Sequence, residues 1–453
     1  MRKRRSLTTI EHRLAEKLEA SASFFVDNRM VVSYKYTYQI TKDTSIEDSN
    51  MLRFEQHITE MKASASDSKH LEHPEDRVFD HGQAGVHNAL SSLHSLHGSV
   101  HGSKKEDDQT TQKMDGAPAV FFGKHPETGK FFVGTKSVFN KKPKINYSYK
   151  DIEENHGHAP GLVQKLKLAL DHLPKIMPNH GGVYQGDIMH GGDVEHHDHG
   201  GVSHTPNTIT YSAARGSGHA ESAKKAKIGV SVHTRLEGPL NDQVKPNYDV
   251  KPSDFNHHED VHNISHEHDH TGTVMHKDDH EQFMHHTAEA KKHTDKLTPE
   301  SDDVITHHGA HLKMFINQRV RDGVSNDKAT HKDYQKFLAQ RATPKAGKDG
   351  KISSSAKATA KKAQELLDHL NGNEGHIDTA LAIHHHVTNA KNALVRTMDN
   401  HVASGNSEVR QTIDGKPSAP EGYVHHHAGT PTKMINRHEF ARANFGAGKP
   451  GDK

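Results

Sequence analysis

The 453-residue chain has no cysteine and no tryptophan, which excludes disulfide frameworks, thiolate metal sites and cysteine nucleophiles. Only 31% of its residues are hydrophobic, so a dense core is confined to part of the chain. Its 59 basic and 58 acidic side chains nearly cancel, which excludes a uniformly basic nucleic-acid coat while permitting a local basic groove.

In chain order, Met1 to Arg5 is basic but lacks the apolar stretch of a secretory signal. No apolar run approaches the ~18 residues of a membrane span, so a soluble, cytoplasmic protein is expected. Ile10, Leu14 and Leu18 predict an amphipathic helix over 6–20. Phe24 to Tyr38 reads as a strand pair or an irregular arm. Leu71-Glu72-His73-Pro74-Glu75-Asp76 reads as a loop leading into a helix, with Val86, Leu90, Leu93 and His97 on one face and a stop at Gly98. Ala119 to Phe122 and Lys130 to Phe139, joined by the turn sequence His125 to Gly129, predict a hairpin. Gly161 to Leu173 is a helix with Leu162, Leu166, Ala169, Leu170 and Leu173 on one side. Gly182 to Met189, Asn207 to Ala213 and Lys227 to His233 read as strands. The stretch 240–295 is polar and His-rich, and is expected to be a linker or loosely ordered insert. Residues 301–404 are helical in pattern. Val304, His308, Leu312, Phe315 and Arg319 mark the first of these helices, and Ile377, Leu381, Leu394 and Met398 the last. Glu421 to Val424 reads as a further strand.

Lys113-Met114-Asp115-Gly116 carries the most chemistry. A lysine attacks phosphorus only as the neutral amine, so its proton must be lost through desolvation or nearby cations. An attack on phosphorus also needs groups that hold the phosphate in line and offset charge on the leaving group, commonly a divalent metal and cationic side chains. Asp115 can bind or orient, and Gly116 lets the backbone pass close to a ligand. Asp-Gly is equally a common turn dipeptide. The 46 histidines cluster in tracts such as His196-His197-Asp198-His199 and His262 to His286. These tracts lack the fixed spacing of structural zinc sites, so adventitious metal binding is expected of them.

The tetrad and the hairpin after it resemble motif I of the covalent nucleotidyltransferases: DNA ligases, RNA ligases and mRNA capping enzymes. Lys136 on the second strand stands where that family places a basic residue against the nucleotide or its phosphates. Gly182-Val183-Tyr184-Gln185-Gly186-Asp187-Ile188 resembles motif III, with Asp187 replacing the usual ribose-binding Glu. Lys227 to His233 occupies the place of motif IIIa, where His233 or Tyr211 would stack on the base. Glu421-Gly422-Tyr423-Val424 resembles motif IV, whose Glu serves the metal. Thr432-Lys433-Met434-Ile435-Asn436-Arg437 resembles motif V; Lys433 would contact the α-phosphate, and Arg437 would supply the charge missing at Ile435. The resemblance covers roughly 110–235 and 418–445. Within the superfamily the chain is most similar to a ligase-like family encoded by tailed phages, in the Lys-x-Asp-Gly-Ala-Pro run, the strand Gly129-Lys130-Phe131-Phe132-Val133-Gly134-Thr135-Lys136-Ser137, and Gln185-Gly186-Asp187. The 71–76 loop also looks like that family and receives no role.

The resemblance implies an α+β, ligase-type nucleotidyltransferase fold with ATP-grasp-like antiparallel sheets. It implies a helical accessory region over 1–105, a core over 106–239, a His-rich linker over 240–300, a helical insertion over 301–410 and the rest of the core over 411–453. Only 16 residues follow Arg437, too few for a C-terminal OB barrel or motif VI. The implied activity is ATP-dependent polynucleotide ligation through lysyl-AMP on Lys113, with ATP and Mg2+ (or Mn2+) as cofactors. Asp115, Gly116, Lys136, Asp187, Lys433 and Arg437 would bind the nucleotide and Glu421 the metal. The partner would be a nucleic acid with a 5′-phosphate end, and Lys357, Lys361 and Lys362 of the insertion could touch its phosphates. GTP-dependent capping, or nucleotide binding without catalysis as in a virion-associated protein, are the alternatives. The acceptor (DNA, RNA or protein) stays open.

Overall fold

The computed structural model describes residues 71–439 apart from 104–107, 242, 265–266, 268–269, 271–272, 348–349 and 406; the expected elements over 6–20 and 24–38 lie outside the described residues. A 3-10 turn, Pro74–Asp76, leads into α1 (Arg77–Val100). The strands β1 (Gln109–Gln112), β2 (Ala119–Lys124) and β3 (Phe131–Gly134) follow, then α2 (Tyr149–His156) and α3 (Pro160–His172). Next come β4 (Val183–His190), β5 (Glu195–His196), β6 (Val202–His204), β7 (Ile209–Ala213), α4 (Gly218–Lys225), β8 (Ile228–Glu237), β9 (Lys245–Asn247) and β10 (Val261–Asn263). Five helices form a block: α5 (Lys277–Thr294), α6 (Pro299–Arg321), α7 (His331–Ala342), α8 (Ser354–Leu370) and α9 (Glu374–Ala403). The described chain closes with β11 (Val409–Ile413), β12 (Lys416–Pro417), β13 (Tyr423–His427) and β14 (Thr430–Met434).

The strands form three sheets, ordered β10-β8-β4-β2-β3 with β9 beside β8, β12-β11-β7-β6-β5, and β1-β13-β14. None of them closes into a barrel. Mixed α and β structure is thus observed, with one departure from the antiparallel expectation: β10 runs parallel to β8.

Strand alternation divides the large sheet between two cores. Val120 and Phe122 of β2 pack with Val163, Leu166 and Ala169 of α3, whereas Phe121 faces Phe132, Val138 and Leu236 on the other side. The third core joins α1 to the helical block and takes in Tyr423 and Met434 of the small sheet. These side chains lie far apart in sequence, so the small sheet is held by the helices as much as by its own pairing.

Several boundaries differ from the sequence expectations. α1 begins just after Asp76 and passes through Gly98 to Val100. The second hairpin strand stops at Gly134, because Thr135 accepts a hydrogen bond from the Ser137 amide and starts a 3-10 turn over Lys136–Phe139. The 240–300 segment is not a bare linker. It supplies β9, β10 and α5, whose buried face is sparse: Phe283, Thr287, Ala290 and Thr294. The strand expected over Glu421 to Val424 runs instead over Tyr423–His427 and so takes in His425, His426 and His427.

Candidate functional site

The small sheet brings together residues about 300 positions apart. Thr111 pairs with Val424 and Gln112 with Tyr423, while Val424 pairs with Lys433 across β13 and β14. Lys113 leaves the end of β1 with its amide donating to the Gly422 carbonyl at 2.7 Å. Its Nζ then lies 2.5 Å from Glu421 Oε1. The Lys113 side chain is 25% exposed and that of Glu421 4%, so the amine is open to a ligand while the carboxylate beneath it is buried. The second carboxylate oxygen, Glu421 Oε2, is buried with no hydrogen-bond partner among the described residues.

The loop after Lys113 is seated by groups from three other segments. The Asp115 amide donates to the Tyr211 hydroxyl at 2.8 Å. Asn207 Nδ2 donates to the Asp115 carbonyl at 3.1 Å and to its carboxylate at 2.9 Å. The Ala117 amide donates to the Ile188 carbonyl at 3.0 Å, and Lys165 Nζ donates to the Ala117 carbonyl at 2.7 Å. Gly116 crosses β4 so closely that a Cβ there would lie 2.7 Å from Met189 Sδ, 2.8 Å from Asp187 Cβ and 2.8 Å from the Ile188 carbonyl. This close approach, rather than an unusual φ, is what requires glycine.

Asp187 stands on β4 opposite Ala119. Burial and the neighbouring Asp115 carboxylate push its pKa up to about 7, against the pull of Lys113. Burial also raises Glu421, with Lys113 opposing and Asp115 adding to the rise. Lys433 is lowered by burial and by the Lys113 cation. His233, on the irregular part of the β4–β8 pairing, has Nε2 3.7 Å from Asp187 Oδ2. Burial and the Lys113 charge hold it down to about 4, so it is a neutral ring at neutral pH. Of the two candidate stacking rings, Tyr211 is fully buried and committed to the Asp115 backbone. His233 is 38% exposed and faces the site.

Two predicted residues stand apart. Lys136 is exposed at the start of its 3-10 turn and makes no hydrogen bond or ion pair with the other site residues among those described. Arg437 is turned away into a buried ionic cluster. It grips the Asp76 carboxylate with both terminal nitrogens, and its Nε lies 3.5 Å from Glu75 Oε1. Lys391 of α9, fully buried, completes the cluster with Nζ 2.5 Å from Glu75 Oε1. Burial works against an ionised Asp76, but Arg437 holds it well below the usual carboxylate range.

The 71–76 loop, which carried no predicted role, is thus a junction between α9 and the end of β14. It also covers the strand edge: the Lys433 amide donates to the Glu72 carbonyl at 3.0 Å. Arg77 Nη2 donates to the Pro431 carbonyl at 3.1 Å and to Thr432 Oγ1 at 2.9 Å. The β13 histidines brace the same region from within. His425 contacts Thr110 Oγ1 at 3.0 Å and Ser95 Oγ at 3.1 Å, and His427 Nδ1 lies 2.8 Å from Asp108 Oδ1. Sequence reasoning missed Tyr211, Asn207 and Lys165 as positioning groups. A lone Asn or Lys outside any motif carries no local signal for this role, although Tyr211 was already singled out for its ring.

The arrangement offers one accessible amine, three neighbouring carboxylates (Asp115, Asp187, Glu421) and a second, half-buried cation, Lys433. Asp187 and Glu421, held above the usual carboxylate range by burial and by the Asp115 carboxylate, favour a bound cation. The unpartnered Glu421 oxygen fits a hard divalent ion. Across residues 67–449 the chain matches, and therefore belongs to, a family of unknown function (DUF6267). No curated protein and no solved structure matches it, and among the described residues no helix is long and apolar enough to cross a membrane.

Proposed function

We propose that the chain is an ATP-dependent, ligase-like nucleotidyltransferase that carries AMP on Lys113. The observation that supports this reading most is the contact of Lys113 Nζ with Glu421, with Asp115, Asp187 and Lys433 gathered around it from separate segments. These are the residue types that the resemblance assigns to motifs I, III, IV and V.

In this reading the neutral Lys113 amine attacks the α-phosphorus of ATP. The N–P bond forms, the bond from that phosphorus to the bridging oxygen breaks, and pyrophosphate leaves. Glu421 Oε1 is placed to accept the proton Nζ sheds, and its raised pKa suits it to that task. Asp187 holds the ribose, His233 stacks on the base, and Lys433 offsets α-phosphate charge. Glu421 Oε2 would hold Mg2+ or Mn2+, with the Asp115 and Asp187 carboxylates adding negative charge nearby. The ion would supply charge neutralisation for the triphosphate. A 5′-phosphorylated nucleic acid would then take the AMP, and a 3′-hydroxyl would displace it.

Incubation with α-phosphate-labelled ATP and Mg2+ tests the first step. A gel-stable label that disappears in Lys113→Ala is expected. Absence of label under conditions that label a known ligase would sink the proposal, and label surviving Lys113→Ala would sink the residue assignment. GTP in place of ATP tests capping-type transfer. One observation favours non-covalent binding as the second reading: with Arg437 committed to Asp76 and Ile435 in place of the second lysine, Lys433 is left as the motif V cation. ATP binding without covalent label would select it.

A further inference from the structure

Histidines at the seam between α1 and the helical block offer a second site, separate in role from Lys113. His97 and His101 lie one helical turn apart at the end of α1, and His280 approaches them from the first turn of α5. Each presents a ring nitrogen, and these three atoms lie within 4.8 Å of one another. His97 Nε2 is 3.1 Å from His280 Nδ1. Two ligands on a tetrahedral zinc ion, with Zn–N of ~2.0–2.1 Å, stand about 3.3 Å apart, so this pair needs little adjustment to share one ion.

The supporting contacts match what such a site requires. His101 Nδ1 donates to the His97 carbonyl at 2.8 Å, which leaves Nε2 with its lone pair free for a metal and fixes the ring orientation. The His97 ring stacks on fully buried Phe283, centroids 4.4 Å apart and planes within 3°, which locks its rotamer. The two other candidate groups, His286 with His385 and His386, and Glu289 with His293 and His386, share His386 and are less suited: the His385 ring is already engaged by Asp327 at 3.3 Å and by Asn389 at 3.1 Å, and Glu289 is paired with Lys292 at 3.0 Å.

We infer that His97, His101 and His280 form a three-histidine site for a divalent transition metal such as zinc, clamping the inserted helix α5 to α1. Its fourth position opens toward solvent on the side of exposed His101, the pattern of an open rather than a closed zinc site. Occupancy would fix α5 against the helix whose other contacts brace β13 through Ser91 and Ser95.

The test is zinc titration of the full chain in competition with a chromophoric chelator, followed by the visible spectrum with Co2+. One equivalent should bind more tightly than the background set by the remaining histidines, and should give the intense ligand-field absorption of four-coordinate cobalt. His101→Gln, at an exposed position that leaves folding intact, should weaken that equivalent by at least about tenfold, as should His280→Gln. His286→Gln should leave it unchanged. A tight equivalent that survives both His101→Gln and His280→Gln, or binding in which no equivalent exceeds the background, would overturn the assignment. Far-UV circular dichroism of each variant confirms that it is folded.

Discussion

Asp187 is the residue whose environment makes the most specific claim. Its folded pKa, about 7, stands above the ordinary carboxylate value, so the folded chain holds a proton that the unfolded chain releases. Its contribution to stability is therefore full in acid and is lost as pH rises toward and through 7. Asp187→Asn should stabilise the protein at pH 8 by about 1–3 kcal/mol, and by much less at pH 4, as read from urea melts at the two values. In the wild type, Mg2+-dependent labelling of Lys113 should increase as pH rises through 7, because only the ionised carboxylate helps to hold the cation. A flat profile between pH 6 and 8 would contradict this role. Gly116 makes a geometric claim instead. Gly116→Ala places a methyl against Met189, Asp187 and the Ile188 carbonyl, two of them backbone or near-backbone atoms with little freedom. Moving the loop by even ~1 Å should lower labelling about 100-fold while Lys113 itself is intact; normal labelling by this variant would show that the loop is not tightly seated.

Among the elements, the junction of the 71–76 loop, α9 and the end of β14 is the most consequential. Glu75 and Lys391 are both fully enclosed, and removing one partner of such a pair strands the other's charge. Lys391→Met should cost about 3–5 kcal/mol in urea unfolding, and Lys391→Met with Glu75→Leu should recover much of that loss. If the single variant melts like the wild type, the pair does not hold the junction. Little of this was legible from the sequence. His-Pro-Glu-Asp reads locally as a loop, and the partners that bury its acids arrive from more than 300 residues away. The helix α5 was hidden for a different reason: imidazoles and hydroxyls occupy positions where a strong helical pattern would have aliphatics. By contrast, the strand carrying Asp187 was readable from its β-rich run and turn residues and Lys113 from its tetrad, whereas β14, which carries Lys433, was not read as a strand and Lys433 was singled out only by the motif V resemblance. Lys136 shows the limit of alignment by position, since the Thr135 hydroxyl ends the strand one residue before it.

At the level of the whole molecule, the helical block is not an appendage. Tyr423 and Met434 of the small sheet share one core with α1 and with Phe283, Leu312 and Leu394 of the block. A variant with residues 277–403 replaced by a short linker should therefore fail to assemble β1, β13 and β14, and should carry no label on Lys113. Soluble expression of that variant with wild-type labelling would show the block to be dispensable. The same core means that the helices and the site should melt together, in contrast to an insertion tethered by loops alone.

The placement of β1 at the edge of its sheet has a temporal consequence. Among the described strands it pairs with β13, with an isolated bridge from Thr111 to Glu267, and Lys113 meets Glu421 across 308 positions. During synthesis at ~5–20 residues per second, the nucleophile emerges about 15–60 s before the carboxylate that completes its surroundings. If Lys113 carries AMP as proposed, a nascent chain exposes it long before it can react, and nucleotide charging would signal that translation has passed the last strands. Ribosome-stalled chains ending before β13 should take no label, whereas chains released after β14 should take it at once.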